Sequence, residues 1–269
     1  MIVRIPMVAL VVAVTFAAPP AARAAGPPTS QTIASSAHGR PVIASHYGLD
    51  DAPVRLVVIG QMHGNEPAGR RIVSDLSRMV LPPEVQVWLV STVNPDGAAR
   101  SRRTNGRGVD INRNFPNRWV RTTARSIYYS GPRAASEPET RGVMAFLSSV
   151  RPTAVISFHQ SFGKIDDPYP RSHAAARELS RLIRLPTAVV PCPGSCRGTM
   201  TGWVNAELQA IAITVEMRRR VNPSKAQHAA AAVLRLGAWL VPAPLPIPQP
   251  TSSATPEATL GVAPGALPS

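Results

Sequence analysis

At 269 residues the chain can bury one substantial core and hold one or two domains, and with only two cysteines it is not a disulfide-stapled mini-protein. Its 29 Lys and Arg against 15 Asp and Glu give a formal charge of +14, which suits anionic surroundings such as nucleic acid, a membrane surface or an acidic wall polymer, although a codon bias toward arginine explains it equally well. A nucleic-acid partner is not expected: Lys164 and Lys225 are the only lysines, and the arginines lack the interleaved aromatics of a nucleic-acid surface.

Met1 to Ala24 has the build of a secretory leader, with Arg4, an apolar run from Val8 to Ala18 and the cleavage pattern Ala22-Arg23-Ala24. The run is short for a bilayer, so cleavage is expected, no stable membrane span remains, and losing Arg4 and Arg23 lowers the charge to +12. The mature protein is expected to be secreted, periplasmic or wall-associated, where anionic wall polymers suit its charge.

Gln31 to Gly48 reads as a small hairpin, with His38 and His46 as ordinary polar side chains. Val54 to Ile59 predicts a buried strand whose end presents His63-Gly64-Asn65-Glu66, the kind of strand end where α/β proteins build sites. A histidine and a glutamate three residues apart can share a cation if a third ligand arrives from elsewhere. The alternative is a surface turn in which Glu66 merely suits a helix N-terminus.

Ile72, Leu76 and Met79 recur at helical spacing and predict a helix from Ala68 to Met79, stopped by Leu81-Pro82-Pro83. Val85 to Val93 is the next strand, closed by a turn at Asn94-Pro95-Asp96-Gly97. Arg100 to Pro116 is too rich in Arg, Asn and Gly for a core element and reads as a long functional loop. Ser136-Glu137-Pro138-Glu139 matches a capping box, which assigns Glu139 to the cap of a helix running through Val143, Phe146 and Leu147. Ala154 to Phe158 predicts a strand with His159 at its end.

A helix over His173 to Leu185, an extended piece at Ala188 to Val190 and a short helix around Trp203 to Leu208 follow. Ile211 to Val215 is the last core strand and delivers Glu216, for which pairing with Arg218 or Arg219 is the ordinary reading. Ala226 to Leu240 closes a domain spanning residues 25–241, and the proline-rich stretch 242–269 reads as a disordered or polyproline II tail. A disulfide between Cys192 and Cys196 would close a loop so small that it adds about 2 kcal/mol at most. Free thiols or zinc ligation are the competing readings.

Taken in order, H-G-N-E-P, N-P-D-G, G-V-D-I-N-R-N-F-P, S-E-P-E-T-R, S-F-H-Q and T-V-E carry His63, Glu66, Asn112, Arg113, His159 and Glu216. This set resembles the zinc carboxypeptidase family from Gly39 to Leu240, and within it the exported bacterial murein peptide amidases and carboxypeptidases, because the loop before D-I-N-R-N-F-P is short. The resemblance implies an α/β fold, three layers α/β/α around a central mixed, mostly parallel sheet. It also implies one Zn2+ held by His63, Glu66 and His159 with a fourth position open to water, and Glu216 as general base. Arg103 would stabilise the oxyanion, with Arg102 and Arg100 as neighbouring alternatives, Asn112 and Arg113 would grip the substrate's free carboxylate, and Asp110 would orient His63.

Two departures stand out. The family's mobile tyrosine has no counterpart near Thr199 to Trp203, since the interval between His159 and Glu216 contains only Tyr169, and no aspartate lies between Pro191 and Val215 to receive a basic side chain. Asp166 and Asp167 read as solvated loop acids, with a side-chain ammonium such as that of diaminopimelate as the alternative. The resemblance implies a peptidase or amidase removing a terminal amino acid with a free carboxylate from a peptide or muropeptide, with the γ-D-glutamyl-diaminopimelate bond as the substrate linkage. A general carboxypeptidase is the alternative enzyme, and a catalytically dead wall-binding module is the alternative outside enzymes, disfavoured by the intact ligand set.

Overall fold

A computed structural model describes residues 26–123, 126–191 and 196–242. The stretch expected as a leader, Cys192 and the stretch beyond residue 242 lie outside the described residues. Among those described, no helix is long and apolar enough to cross a membrane.

The expected hairpin forms from β1 (Thr29–Ser35) and β2 (Pro41–Tyr47), paired antiparallel. β3 (Val54–Ile59) follows as the apolar run predicts, with every residue buried except Arg55. α1 (Ala68–Leu76) buries Ile72, Val73 and Leu76 and leaves Arg70 and Arg71 exposed, an amphipathic pattern at helical period. β4 (Val85–Val90) lies parallel to β3 and antiparallel to β2.

The Asn94-Pro95-Asp96-Gly97 stretch, expected as a turn, opens the short helix α2 (Pro95–Ala99). Pro95 suits a first helical position, and the Asn94 side-chain oxygen accepts from the Gly97 N–H at 2.8 Å, so the same residue types that favour turns here cap a helix. After the long loop come α3 (Pro138–Val150), β5 (Ala154–Asp166), α4 (His173–Ile183), the two-residue β6 (Thr187–Ala188), α5 (Met200–Glu207), β7 (Ile211–Arg218) and α6 (Pro223–Trp239).

The strands form one seven-stranded sheet in the order β1-β2-β4-β3-β5-β6, with β7 also paired to β5, and it is mixed and mostly parallel as expected. Side-chain alternation along the strands sorts the core into two layers. Leu56, Val58, Ile156 and Val215 pack with residues of α1, α4 and α6 on one face, whereas Val57, Ile59, Val155 and Ala212 pack with residues of α3 and α5 on the other.

Two sequence expectations fail here. The predicted capping box does not form: α3 has no side-chain cap, because the Ser136 hydroxyl donates to Glu137 at 2.7 Å and accepts from Asn114 at 2.9 Å. Glu139, fully buried, instead accepts from the Ala37 N–H at 2.8 Å and from Asn105 Nδ2 at 3.1 Å, tying α3 to the hairpin turn and to the long loop. Burial pushes its pKa up.

The strand predicted to stop at Phe158 also continues to Asp166. Its partners on β7 rise from Ile211 opposite Ala154 to Arg218 opposite Ser161, then fall back through Glu216 opposite Lys164 to Thr214 opposite Asp166. The chain therefore reverses about Gly163, whose φ of +66° favours glycine, and returns along β7. His159 lies inside β5, directly opposite Glu216, and Asp166 is a strand residue rather than a loop acid.

Candidate active site

The Glu66 N–H donates to the His63 carbonyl at 3.0 Å, a turn that folds both side chains to one side of the end of β3. α1 starts close by because Gly69 lacks a side chain: a Cβ there would sit 2.0 Å from the Gly60 carbonyl oxygen and 2.5 Å from Phe158 Cβ. The Gln160 side chain accepts from the first helical N–H, Ala68, at 2.9 Å, which links α1 to β5 beside His159.

His63 Nδ1 lies 2.9 Å from Glu66 Oε2, His159 Nδ1 lies 3.0 Å from the same oxygen, and the two Nδ1 atoms are 3.2 Å apart. All three residues are buried. Each imidazole turns its other nitrogen outward, His63 Nε2 to Asp110 Oδ1 at 3.1 Å and His159 Nε2 to Ser157 Oγ at 3.2 Å. Protons assigned to those outer nitrogens leave two lone pairs and a carboxylate converging on one point, which is a cation site. Ligands bound tetrahedrally to zinc at about 2.0–2.2 Å lie about 3.3–3.6 Å from one another, a few tenths of an ångström wider than the spacing here, so these residues fit the ion with a small outward adjustment.

Burial alone would lower the His63 pKa, but Glu66 and Asp110 outweigh it and raise it. Burial works to raise both carboxyls, yet the facing His63 holds Glu66 and Asp110 well below the usual carboxylate range.

The long loop supplies the next ring of groups. Asp110 is fully buried; its Oδ2 takes Arg103 at 2.8–2.9 Å, and its Oδ1 accepts from the Asn112 N–H at 3.0 Å at the start of the one-turn helix Ile111–Arg113. Arg103 reaches on to Glu66 Oε1 at 3.4 Å and His63 Nδ1 at 3.2 Å, so of the three arginines considered it is Arg103 that borders the metal group. Asn112 spends its side-chain oxygen on the Met200 N–H at the start of α5, at 3.0 Å, which leaves its amide hydrogens toward the cavity. Arg113 is buried, donates from Nη1 to the Asn112 carbonyl at 2.8 Å, and its Nε has no hydrogen-bond partner among the described residues. Burial lowers its pKa.

Glu216 is 8% exposed and faces the cavity from β7, and its Oε2 has no hydrogen-bond partner among the described residues. Burial raises its pKa above the ordinary 4.5, Glu66 adds to the rise, and His159 and His63 oppose it.

His63, Glu66, His159, Arg103, Asn112, Arg113 and Glu216 all line one cavity of about 360 Å³. Asp110 stands directly behind it through His63 and Arg103. Cys196 is disulfide-bonded and also lines the cavity.

Among the other lining residues, two tyrosines and an aspartate bear on the site. Tyr128 lies under both guanidinium groups, 5.0 Å from Arg103 and 5.9 Å from Arg113, within range of cation–π contact. Tyr169 brings its hydroxyl to 3.5 Å from Thr199 Oγ1, so a tyrosine does reach the Thr199 region, from the other end of the sequence interval. Asp166 lines the cavity wall, whereas Asp167 pairs with His173 at 2.6 Å. Long-range packing places these three, and no local pattern in the sequence marks Tyr128.

Residues 28–189 match the zinc carboxypeptidase family. Murein peptide amidase A of Escherichia coli K12 is 29% identical over 214 residues, covering 75% of this chain and 86% of that protein. The crystal structure of murein-tripeptide amidase from Escherichia coli O157 superposes with a TM-score of 0.63 at 27% identity, covering 84% of this chain and 97% of that one. Bovine thrombin-activatable fibrinolysis inhibitor shares the fold, with a TM-score of 0.68 at 19% identity over 80% of this chain and 90% of that chain. Since the family match spans more than half of the sequence and the donor set suits its metal, this protein belongs to the zinc carboxypeptidases, hydrolytic enzymes that use one zinc ion.

Proposed function

We propose that the protein is an exported hydrolase that removes a terminal amino acid with a free carboxylate from peptidoglycan peptides, at the γ-D-glutamyl-diaminopimelate bond. The observation that carries the reading is the joint placement of a cation site, a carboxylate oxygen of Glu216 without a hydrogen-bond partner among the described residues, and the guanidinium of Arg113 around one cavity. The leader-like Met1 to Ala24 supports export, the +12 charge supports attraction to anionic wall polymers, and the similarity to murein peptide amidase A supports the murein substrate.

Zinc held by His63, Glu66 and His159 supplies Lewis acidity for the attacking water and the scissile carbonyl. Arg113, with the amide of Asn112, receives the terminal carboxylate in a charge-assisted grip, which fixes the scissile bond relative to Glu216. Glu216 takes a proton from the attacking water and passes it to the leaving amine. Arg103, anchored by Asp110 and stacked on Tyr128, offers its guanidinium to the oxygen on which negative charge develops.

The test incubates zinc-loaded protein, beside Glu216→Gln, with L-Ala-γ-D-Glu-diaminopimelate and with an ordinary α-linked peptide, and identifies products by mass spectrometry. The expected result is release of diaminopimelate by the unmodified protein alone. Cleavage of only the α-linked peptide would replace this reading with that of a general carboxypeptidase.

A further inference from the structure

We propose that the concavity between the end of α4, the end of β7 and the first turns of α6 is an anion site that takes a polyol chain linked by phosphodiesters. It is separate from the catalytic cavity, and its occupancy does not depend on which peptide bond the enzyme cleaves.

The fold sets this concavity on the side of the sheet away from the metal group. Glu216 turns to the catalytic cavity, so its neighbour Met217 turns to the other face, where it packs into the core layer of α1, α4 and α6. Met217, with Ile183 and Leu185 at the end of α4, is buried and gives the concavity an apolar floor. Around this floor stand four permanent cations, Arg184, Arg218, Arg220 and Lys225, together with His228, all of them exposed. Asn222 caps α6 by accepting from the Lys225 N–H at 2.9 Å, which puts Lys225 in the first turn, and His228 three residues on shares its face. The Gln160 side chain donates to the carbonyls of Arg218 and Arg219 at 3.2 and 3.0 Å, which fixes where this arginine run leaves β7.

The charge balance here differs from that of other arginines. Arg71 and Arg78 share Asp75, Arg181 pairs with Glu178, and Arg40 pairs with Asp96. No Asp or Glu lines this concavity, and among the described residues none of its four permanent cations forms an ion pair. Like charges gathered in a concavity repel one another, and together they focus a positive field on whatever enters. A codon bias toward arginine adds charge without choosing its place. It does not account for three separate segments that converge with no carboxylate among them.

The lining also selects the chemistry of the anion. Guanidinium forks match pairs of phosphate oxygens. A space of about 550 Å³ has the size of an organic ligand's cavity rather than that of a bare ion, and the apolar floor suits the carbon skeleton of a phosphate ester. No Phe, Tyr or Trp lines the concavity, so nucleic-acid bases find nothing to stack on. A chain whose phosphates are spaced by short polyol units meets several of these cations at once and leaves the catalytic cavity, on the other face, open.

The test titrates a glycerol phosphate oligomer into the zinc-loaded protein by calorimetry at about 0.15 M salt, where attraction by distant charges is largely screened. Arg218→Gln/Arg220→Gln removes two cations of the rim, and Arg55→Gln/Arg151→Gln removes two exposed arginines elsewhere. The rim variant is expected to bind about tenfold or more weakly than the wild type, and the other variant within about twofold of it. Zinc content and the denaturant midpoint establish that both variants are folded. No binding by the wild type, or equal weakening in both variants, would overturn the proposal.

Three further ligands distinguish the source of the phosphate. Orthophosphate that binds as tightly as the oligomer would replace the polyol chain with the free ion. Tighter, rim-dependent binding of a single-stranded oligonucleotide or of phosphatidylglycerol vesicles would replace it with that ligand. Because binding is read without turnover, failure to hydrolyse the murein tripeptide would overturn the peptidase reading alone.

Discussion

Asp110 Oδ1 lies 3.1 Å from Nε2 of His63, so a fully buried carboxylate in the long loop fixes which imidazole nitrogen of the β3 end faces the metal group. The same carboxylate holds Arg103 at 2.8 Å through Oδ2. Asp110→Asn keeps the shape and loses the charge, and zinc affinity is expected to fall about 10–100-fold. Competition with a chromophoric chelator measures it, and an unchanged affinity would deny Asp110 this role.

Glu216 must be ionised to accept a proton, and burial followed by Glu66 raises its pKa above 4.5 despite the opposing histidines. Protonation on the acid side therefore removes the base, and kcat/KM is expected to fall with decreasing pH through a limb that belongs to this carboxyl. Glu216→Gln should lose about 10²–10⁴ in turnover, keep its zinc content and lack this limb. A variant with wild-type rate and the same limb would remove Glu216 from the chemistry.

Arg113 is buried, its Nε has no partner among the described residues and its guanidinium lies near Tyr128, a setting for a planar two-pronged grip. Lysine keeps the charge and not the fork, so Arg113→Lys is expected to lower kcat/KM about 10-fold or more on substrates with a free terminal carboxylate. The ratio between free and amidated substrates, read with both proteins, should shrink toward unity in the variant. An undiminished ratio would assign the carboxylate to another residue.

Glu139 serves the fold rather than the site, since it accepts from Ala37 and Asn105 in the interior. Glu139→Ala strands the Ala37 N–H and leaves Asn105 Nδ2 with Glu137 alone, and is expected to cost about 1–3 kcal/mol of stability, read from the denaturant midpoint with zinc held constant. A loss within about 0.5 kcal/mol would indicate a solvent-accessible residue, as the helix-cap reading implies.

The sequence carries much of this architecture because local rules decide it. Val54 to Ile59 reads as a buried strand and forms one, and the turn that follows sets His63 beside Glu66. His159 and Glu216 follow apolar runs that become neighbouring strands, so their meeting is implied once the sheet order is known. What fails is decided at a distance. Ser136 to Glu139 satisfies a capping pattern locally, but Asn114 and Glu137 take the serine hydroxyl, and Ala37, 102 residues away, takes the glutamate. Lys164 to Asp166 shows no apolar run to announce a strand, because its return along β7 is made possible by the reversal at Gly163. Tyr128, Tyr169 and Asp166 reach the cavity through such long-range placement, which no spacing in the sequence encodes.

Hydrolysis of a murein peptide at one zinc site is measured by following diaminopimelate release from L-Ala-γ-D-Glu-diaminopimelate while metal-free protein is titrated with zinc. No release is expected without metal, and the rate is expected to rise linearly to a plateau at one equivalent. Release by the metal-free protein, or a zinc-saturated protein that leaves the tripeptide intact, would contradict it.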